Sequence, residues 1–232
     1  METVQQLIDI GWEFGGPVIL VLGVLSVIAT TLALYKLWQF AIHRVGRHRR
    51  AREAIDLWFE GSRKQAYALV ANDSSPLSRV VGHAMRGMTH GRENLALVRE
   101  DVVRVAQEQL YGLRRYLRGL DFVAQTSPLL GLFGTVLGMI EAFSQLEAAG
   151  ASVDPSQLAG GIWTALITTA VGLAIAIPTS LVVAWFESRI ENERAVMETT
   201  LAGFFAHRLT DSQLRAMDEV TTIPRGLEAH AH

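Results

Sequence analysis

Cysteine is absent from the 232 residues. No disulfide framework, thiolate metal site or thiol nucleophile can be built from this chain. Basic residues are absent before Lys36 and again from Glu147 to Gly161, although the chain holds 21 Lys and Arg. A cleaved secretory leader needs a positive opening segment and a small-residue cleavage site. Neither precedes Pro17, so no such leader is expected. Charge of either sign is missing from Gly160 to Phe186, and from Phe122 to Leu146 only Glu141 interrupts the apolar run. The motifs G-x-x-x-x-G-K-[ST], G-x-S-x-G and H-E-x-x-H do not occur, and the seven His are not clustered at ligand spacing. These absences argue against an enzyme, a cofactor and a metal centre. They point to transport, coupling or scaffolding.

What is present is hydrophobicity in blocks. Half of the residues are apolar, and they concentrate in Pro17–Phe40, Phe122–Leu146 and Gly160–Phe186. At roughly 1.5 Å per residue each block is long enough to cross a bilayer as a helix. A spanning backbone has to satisfy its own hydrogen bonds, so the expected fold is an all-α membrane protein with three transmembrane helices. The net charge of −2 says little, but its distribution says much. Every Lys and Arg lies between Lys36 and Arg118 or between Arg189 and Arg225. The positive-inside rule then places the N-terminus and the second loop outside, and the middle region and tail in the cytoplasm. The expected order is an outer, periplasmic segment over 1–16, span one over 17–40 and a cytoplasmic helical region over 41–121. Span two follows over 122–146, then a periplasmic loop over 147–159, span three over 160–186, and a cytoplasmic helix and disordered tail over 187–232.

Residues 2–14 read as a short amphipathic helix, with Val4, Leu7, Ile8 and Trp12 on one face. A frayed terminus is the plainer alternative. Gly15, Gly16 and Pro17 should break the chain before the first span, which ends with Tyr35, Lys36 and Trp38 as inner-interface anchors. The basic run His43–Arg52 suits anionic headgroups at about 1 kcal/mol per Arg. Such runs ordinarily mark the cytoplasmic flank of a span, so nucleic acid is not an expected partner. Short helices are expected over 50–60, 62–71 and 76–88, with a break at Asn72–Pro76. From Arg92 onward Leu95, Val98, Val102, Val105, Leu110, Leu113 and Leu117 recur at helical spacing. One rod should therefore run into span two, and span three should continue inward to about Leu214. His83 and His90 read as solvated.

Spans two and three carry stripes of small and hydroxyl residues. Ala165, Thr169, Gly172, Ala176 and Ser180 share a face of the third, flanked by Thr164 and Thr168. Gly131, Thr135, Gly138 and Ala142 line one side of the second, with Gly134 nearby. Such stripes mean close helix packing or a wet path. Thr135 and Thr169 are the candidate polar positions, against the plainer reading that a membrane threonine bonds back to its own helix. Glu141 would cost about 2.5–3.5 kcal/mol at mid-membrane, and its nearness to Glu147 favours an interfacial carboxylate. Pro128 and Pro178 fall inside helical stretches and should kink them.

Two segments, TSPLLGLFGTVLGMIEAF (Thr126–Phe143) and GGIWTALITTAVGLAIAIP (Gly160–Pro178), resemble the paired motifs of the ExbB, TolQ and MotA proton-channel family, nearest to ExbB and TolQ. The whole layout of spans and loops is similar too. The resemblance implies an inner-membrane homopentamer surrounding the single-span dimer of an ExbD/TolR-like partner. The partner's carboxylate carries the ion, and the work passes to a TonB/TolA-like envelope protein. It also implies that Thr135 and Thr169 are the family's polar pore positions; Thr164 and Thr168, flanking the same stripe, are further candidate pore-lining residues. Gly131, Gly134, Gly138 and Gly172 would pack helices. One departure stands out: the family usually carries Glu where this chain has Thr164. Either that acid is dispensable, or Glu141 substitutes as an accessory carboxylate, or this copy serves another partner. The first fits the physics best, because a partner acid that is alternately protonated needs only hydroxyls and water beside it. The alternatives are a non-conducting scaffold for a single-span partner and a flagellar-stator-type subunit, which usually has four spans.

Overall fold

In a computed structural model the described residues are 2–90, 94–149 and 155–221, with side chains described from Gly16 onward and through Ala206. Seven helices and no strand occur among them. They are α1 (Glu2–Ile42), α2 (Arg49–Phe59), α3 (Arg63–Ala71), α4 (Pro76–His90), α5 (Leu95–Arg114), α6 (Leu117–Ala149) and α7 (Pro155–Thr221). Three stretches are long and apolar enough to cross a membrane, within Gly16–Ile42, Leu95–Ala148 and Leu158–Ala206. The protein is therefore an all-α, three-span membrane protein. Its chain divides into two compact units. One comprises residues up to Ile42 and Leu113–Arg189, the other His43–Gly112 and the chain from Ile190.

The first unit holds the apolar helices. The short helix expected over 2–14 and the span form the single helix α1, and the break expected at Gly15–Pro17 is confined to the backbone of Gly16. Gly16 takes a left-handed φ of +63° just ahead of Pro17, a value glycine reaches without steric cost. The face expected at Val4, Leu7, Ile8 and Trp12 lies outside the described side chains. Tyr35 and Trp38 are exposed, but Lys36 is 0% exposed. Its Nζ donates to the Leu113 carbonyl at 2.7 Å and to Gln39 Oε1 at 2.9 Å. Leu113 lies in the last turn of α5, where carbonyls have no intrahelical donor, and Lys36 supplies one.

The continuous rod expected from Arg92 into span two is interrupted at that point. α5 ends at Arg114, and Tyr116 takes a φ of 70° before α6 begins. A left-handed tyrosine is costly and needs support. The Tyr35 ring meets the Tyr116 ring edge-on at 5.6 Å, and Arg115 lies over the same ring. The Tyr116 carbonyl then accepts the first bonds of α6, from the N–H groups of Gly119 and Leu120. Of the expected loop over 147–159, the described residues 147–149 and 155–159 are helical, since α6 reaches Ala149 and Pro155 opens α7. Proline suits a first helical position because its missing N–H would be unpaired there anyway. α7 passes the expected stop near Leu214 and continues to Thr221.

The second unit is a small helical core. The expected short helices occur as α2, α3 and α4. In α4, Leu77, Val80, Val81, Ala84, Met85 and Met88 are buried at helical spacing. They join Ala51, Ala54 and Trp58 of α2 and Met197, Leu201, Phe204 and Phe205 of α7. Ser75 caps α4, its Oγ accepting from the Ser78 N–H at 3.3 Å. The hydroxyls of Ser75 and Ser78 both donate to Asp73 Oδ2, at 2.8 and 2.7 Å. Burial raises the Asp73 pKa, but the Ser78 and Ser75 hydrogen bonds and the Arg50 and Arg44 charges outweigh it and hold the carboxyl below the usual range. Glu193 of α7 is buried, and its Oε2 accepts from the Gly46 N–H at 3.0 Å and faces His48 Nε2 at 2.8 Å. His83 is not merely solvated: its Nε2 lies 2.6 Å from Asp101 Oδ2. The His90 side chain lies outside the described residues.

Candidate ion-pathway seam

Within the first unit the two small-residue stripes face one another, and a Cβ added at the seam glycines would meet the opposite helix. At Gly131 it would lie 3.0 Å from the Thr169 Cα and 3.1 Å from the Thr168 carbonyl oxygen. At Gly138 it would lie 2.9 Å from the Ala165 Cβ, and at Gly134 it would overlap the Thr168 Cγ2. At Gly172 it would come within 2.6 Å of the Ser127 carbonyl oxygen and 3.1 Å of the Gly131 Cα. α6 and α7 thus touch backbone to backbone, a separation that only glycine permits. The spacing 131, 134, 138 and 142 turns one face of α6 to the seam, and Ala142 is buried there.

The threonines divide by partner. Thr169 Oγ1 donates across the seam to the Gly131 carbonyl at 3.0 Å. Thr168 and Thr164 donate within α7, to the Thr164 and Gly160 carbonyls, each at 3.0 Å. Thr135 donates to the Leu132 carbonyl of α6 at 2.7 Å. Thr168 is 1% exposed, wedged against Gly134, while Thr135, Thr164 and Thr169 are only half-buried. Thr135 also borders a shallow depression of about 560 Å³ on α6 that reaches Phe143 and Glu147. A threonine hydroxyl that donates once still has two lone pairs to offer. Thr169 and Thr135 can therefore accept a proton donor from outside the seam, and buried Thr168 cannot. Glu141 is exposed and accepts from Gln145 Nε2 at 2.9 Å. Pro128 and Pro178 lie inside α6 and α7.

The stripe differs in detail from the sequence expectation. Ser180 is exposed and donates to the Ile177 carbonyl. Fifteen residues at about 100° each leave it some 60° away from Ala165, while the neighbouring Thr179 is buried and bonds back to the Ile175 carbonyl. Ser127 lies outside the expected stripe, yet it is fully buried and bonds back to the Val123 carbonyl at 2.7 Å. Gly161 makes a further contact that the spacing does not reveal, since its Cβ would meet Ala142 at 2.7 Å. Among the described residues no group of three metal-ligating side chains exists.

Residues 72–199 match the MotA/TolQ/ExbB proton channel family. The biopolymer transport protein exbB1 of Vibrio cholerae is 35% identical over 133 residues, covering 54% of this chain and 58% of that protein. The biopolymer transport protein ExbB of Neisseria gonorrhoeae is 28% identical over 188 residues, covering 73% and 82%. The Tol-Pal system protein TolQ of Haemophilus influenzae is 38% identical over 107 residues, covering 46% and 40%. The chain spans about half the length of the Vibrio and Haemophilus relatives.

Proposed function

Because the chain belongs to the MotA/TolQ/ExbB proton channel family, we propose that it is the channel-forming subunit of an ion-driven motor in the cell inner membrane. In this reading five copies surround the single-span dimer of an ExbD/TolR-like partner, and the work passes to a TonB/TolA-like envelope protein. The N-terminus is periplasmic and the C-terminus cytoplasmic, as the distribution of Lys and Arg supports.

The observation that carries the reading is the Thr169 hydroxyl bonded to the Gly131 carbonyl, with Thr135 one turn further along α6. One charge crossing the field gives about 2.3 kcal/mol per 100 mV. A charged carboxylate left in a dry channel would consume that gain. A fixed hydroxyl beside it, with the water it holds, lowers the penalty. Thr169 and Thr135 are the pathway residues, Thr164 extends it toward the outer end, and Thr168 packs the seam with Gly131, Gly134, Gly138 and Gly172. Glu141 is accessory, and kinks at Pro128 and Pro178 shape the channel.

Thr169→Val keeps the shape and removes the hydroxyl. It should lower proton flux to background while costing stability only about 1 kcal/mol, the worth of one interhelical hydrogen bond in a membrane. Flux and native mass of the detergent complex are measured on the same preparation. A pentamer with full flux would refute the pathway, and a stable monomer or dimer would refute the assembly.

A further inference from the structure

The second unit holds a basic pocket that the ion pathway does not use. It encloses about 810 Å³ and is lined by Arg44, Arg47, Arg49, Arg50 and Arg52, with Asp73 at its base. Gly46, His48, Glu53 and Asp56 complete its lining. Five arginines and three acidic residues thus line it. Asp73 is buried, and its Oδ1 lies 3.9 Å from Arg44 Nη1 and 3.6 Å from Arg50 Nη1. These contacts are long for charge-assisted hydrogen bonds, and both arginine side chains remain about half exposed. A guanidinium has five N–H donors in a fixed fork. Asp73, fixed by the two serines, therefore orients two forks and leaves most of their donors for something else. Arg47, Arg49 and Arg52 make no ion pair among the described residues.

The helix beneath the pocket points the same way. α2 begins at Arg49 without a side-chain cap from His48 and with no acidic residue in its first turn. Its first bond is from the Arg52 N–H to the His48 carbonyl. The N–H groups of Arg49, Arg50 and Ala51, in the first turn, have no acceptor within the helix. A helix N-terminus favours negative charge, yet this one carries Arg49, Arg50 and Arg52. That placement is unfavourable in the isolated chain and becomes favourable once an anion sits among them. Arg44 follows the last residue of α1 by two positions in the sequence.

We propose that this pocket binds a phosphate group, held by the Arg44 and Arg50 forks and the N-terminus of α2, with Arg47, Arg49 and Arg52 closing around it. The same chemistry is offered by an anionic lipid headgroup and by free phosphate. The site is independent of the ion-pathway reading. The full-length protein in neutral detergent is titrated at constant ionic strength with phosphatidylglycerol micelles, with phosphatidylcholine micelles and with inorganic phosphate, and its thermal midpoint is followed. Saturable stabilisation by phosphatidylglycerol beyond that of phosphatidylcholine identifies the lipid source. Saturable stabilisation by inorganic phosphate alone identifies a soluble one. In either case R44Q/R50Q should weaken apparent binding about tenfold or more, as loss of charge-assisted bonds does. R47Q/R52Q removes side chains with no ion pair and so leaves folding intact. It should weaken binding severalfold, while Arg194→Gln, outside the pocket, should not. No saturable response to either probe, or equal binding by R47Q/R52Q and the unaltered chain, would overturn the proposal.

Discussion

Thr168 and Thr169 are adjacent in sequence and differ in what their hydroxyls reach. Thr168 bonds to its own helix and fills the space beside Gly134, whereas Thr169 bonds to the backbone of α6. Sequence spacing puts both near one face but does not separate them. The partner of a membrane threonine depends on how near the next helix comes, and that is set by glycines on the other side of the seam. Asp73 makes a prediction at the same scale. Its carboxyl titrates below the usual range when folded, so the stability it contributes is present above the unfolded pKa. It is lost as pH falls through the folded value. Asp73→Asn should lower the thermal midpoint at neutral pH and leave it nearly unchanged in strong acid, as a midpoint series from neutral to acid pH would show. Equal destabilisation at every pH would assign Asp73 a packing role instead. Other residues were illegible for a plain reason. Lys36 reads as an interface anchor until the end of α5 is seen to need its ammonium. Glu193 and Gly46 meet across the second unit from distant parts of the sequence, and no local pattern announces such a pair.

Among elements, the α6–α7 seam was the most legible, because glycine and alanine recurring at helical spacing in an apolar run mark a close helix contact. The break between α5 and α6 was the least legible. Neither residue between the two helices is glycine or proline, and the left-handed Tyr116 is held by Tyr35 from another helix. The register of the seam also separates neighbouring glycines. A Cβ at Gly172 would press on the Ser127 carbonyl, and one at Gly160 would meet open space. Gly172→Ala should therefore destabilise the protein by about 1–3 kcal/mol, the usual cost of overpacking. Gly160→Ala should be neutral or stabilising by up to about 1 kcal/mol, since alanine favours a helix over glycine. Thermal midpoints in one detergent would decide, and equal effects would mean that the two helices do not pack at this register.

For the whole molecule, the three-span class followed from the apolar blocks, and the second unit was visible only as a set of short amphipathic helices. The proposed orientation rests on the placement of Lys and Arg. A reporter active only outside the cytoplasm should work when fused after residue 10 or 152 and be silent after Arg79. The reverse pattern would invert the proposed topology. The central claim is that the chain conducts protons through the hydroxyls of Thr135 and Thr169. Its most direct test is proton flux into liposomes that hold the full chain with the proposed ExbD/TolR-like partner, driven by an imposed membrane potential. The account predicts flux that needs both proteins and falls to background in the Thr135→Val, Thr169→Val double variant, with the native mass unchanged. Flux in the double variant equal to that of the unaltered chain would contradict it and leave these threonines as packing residues.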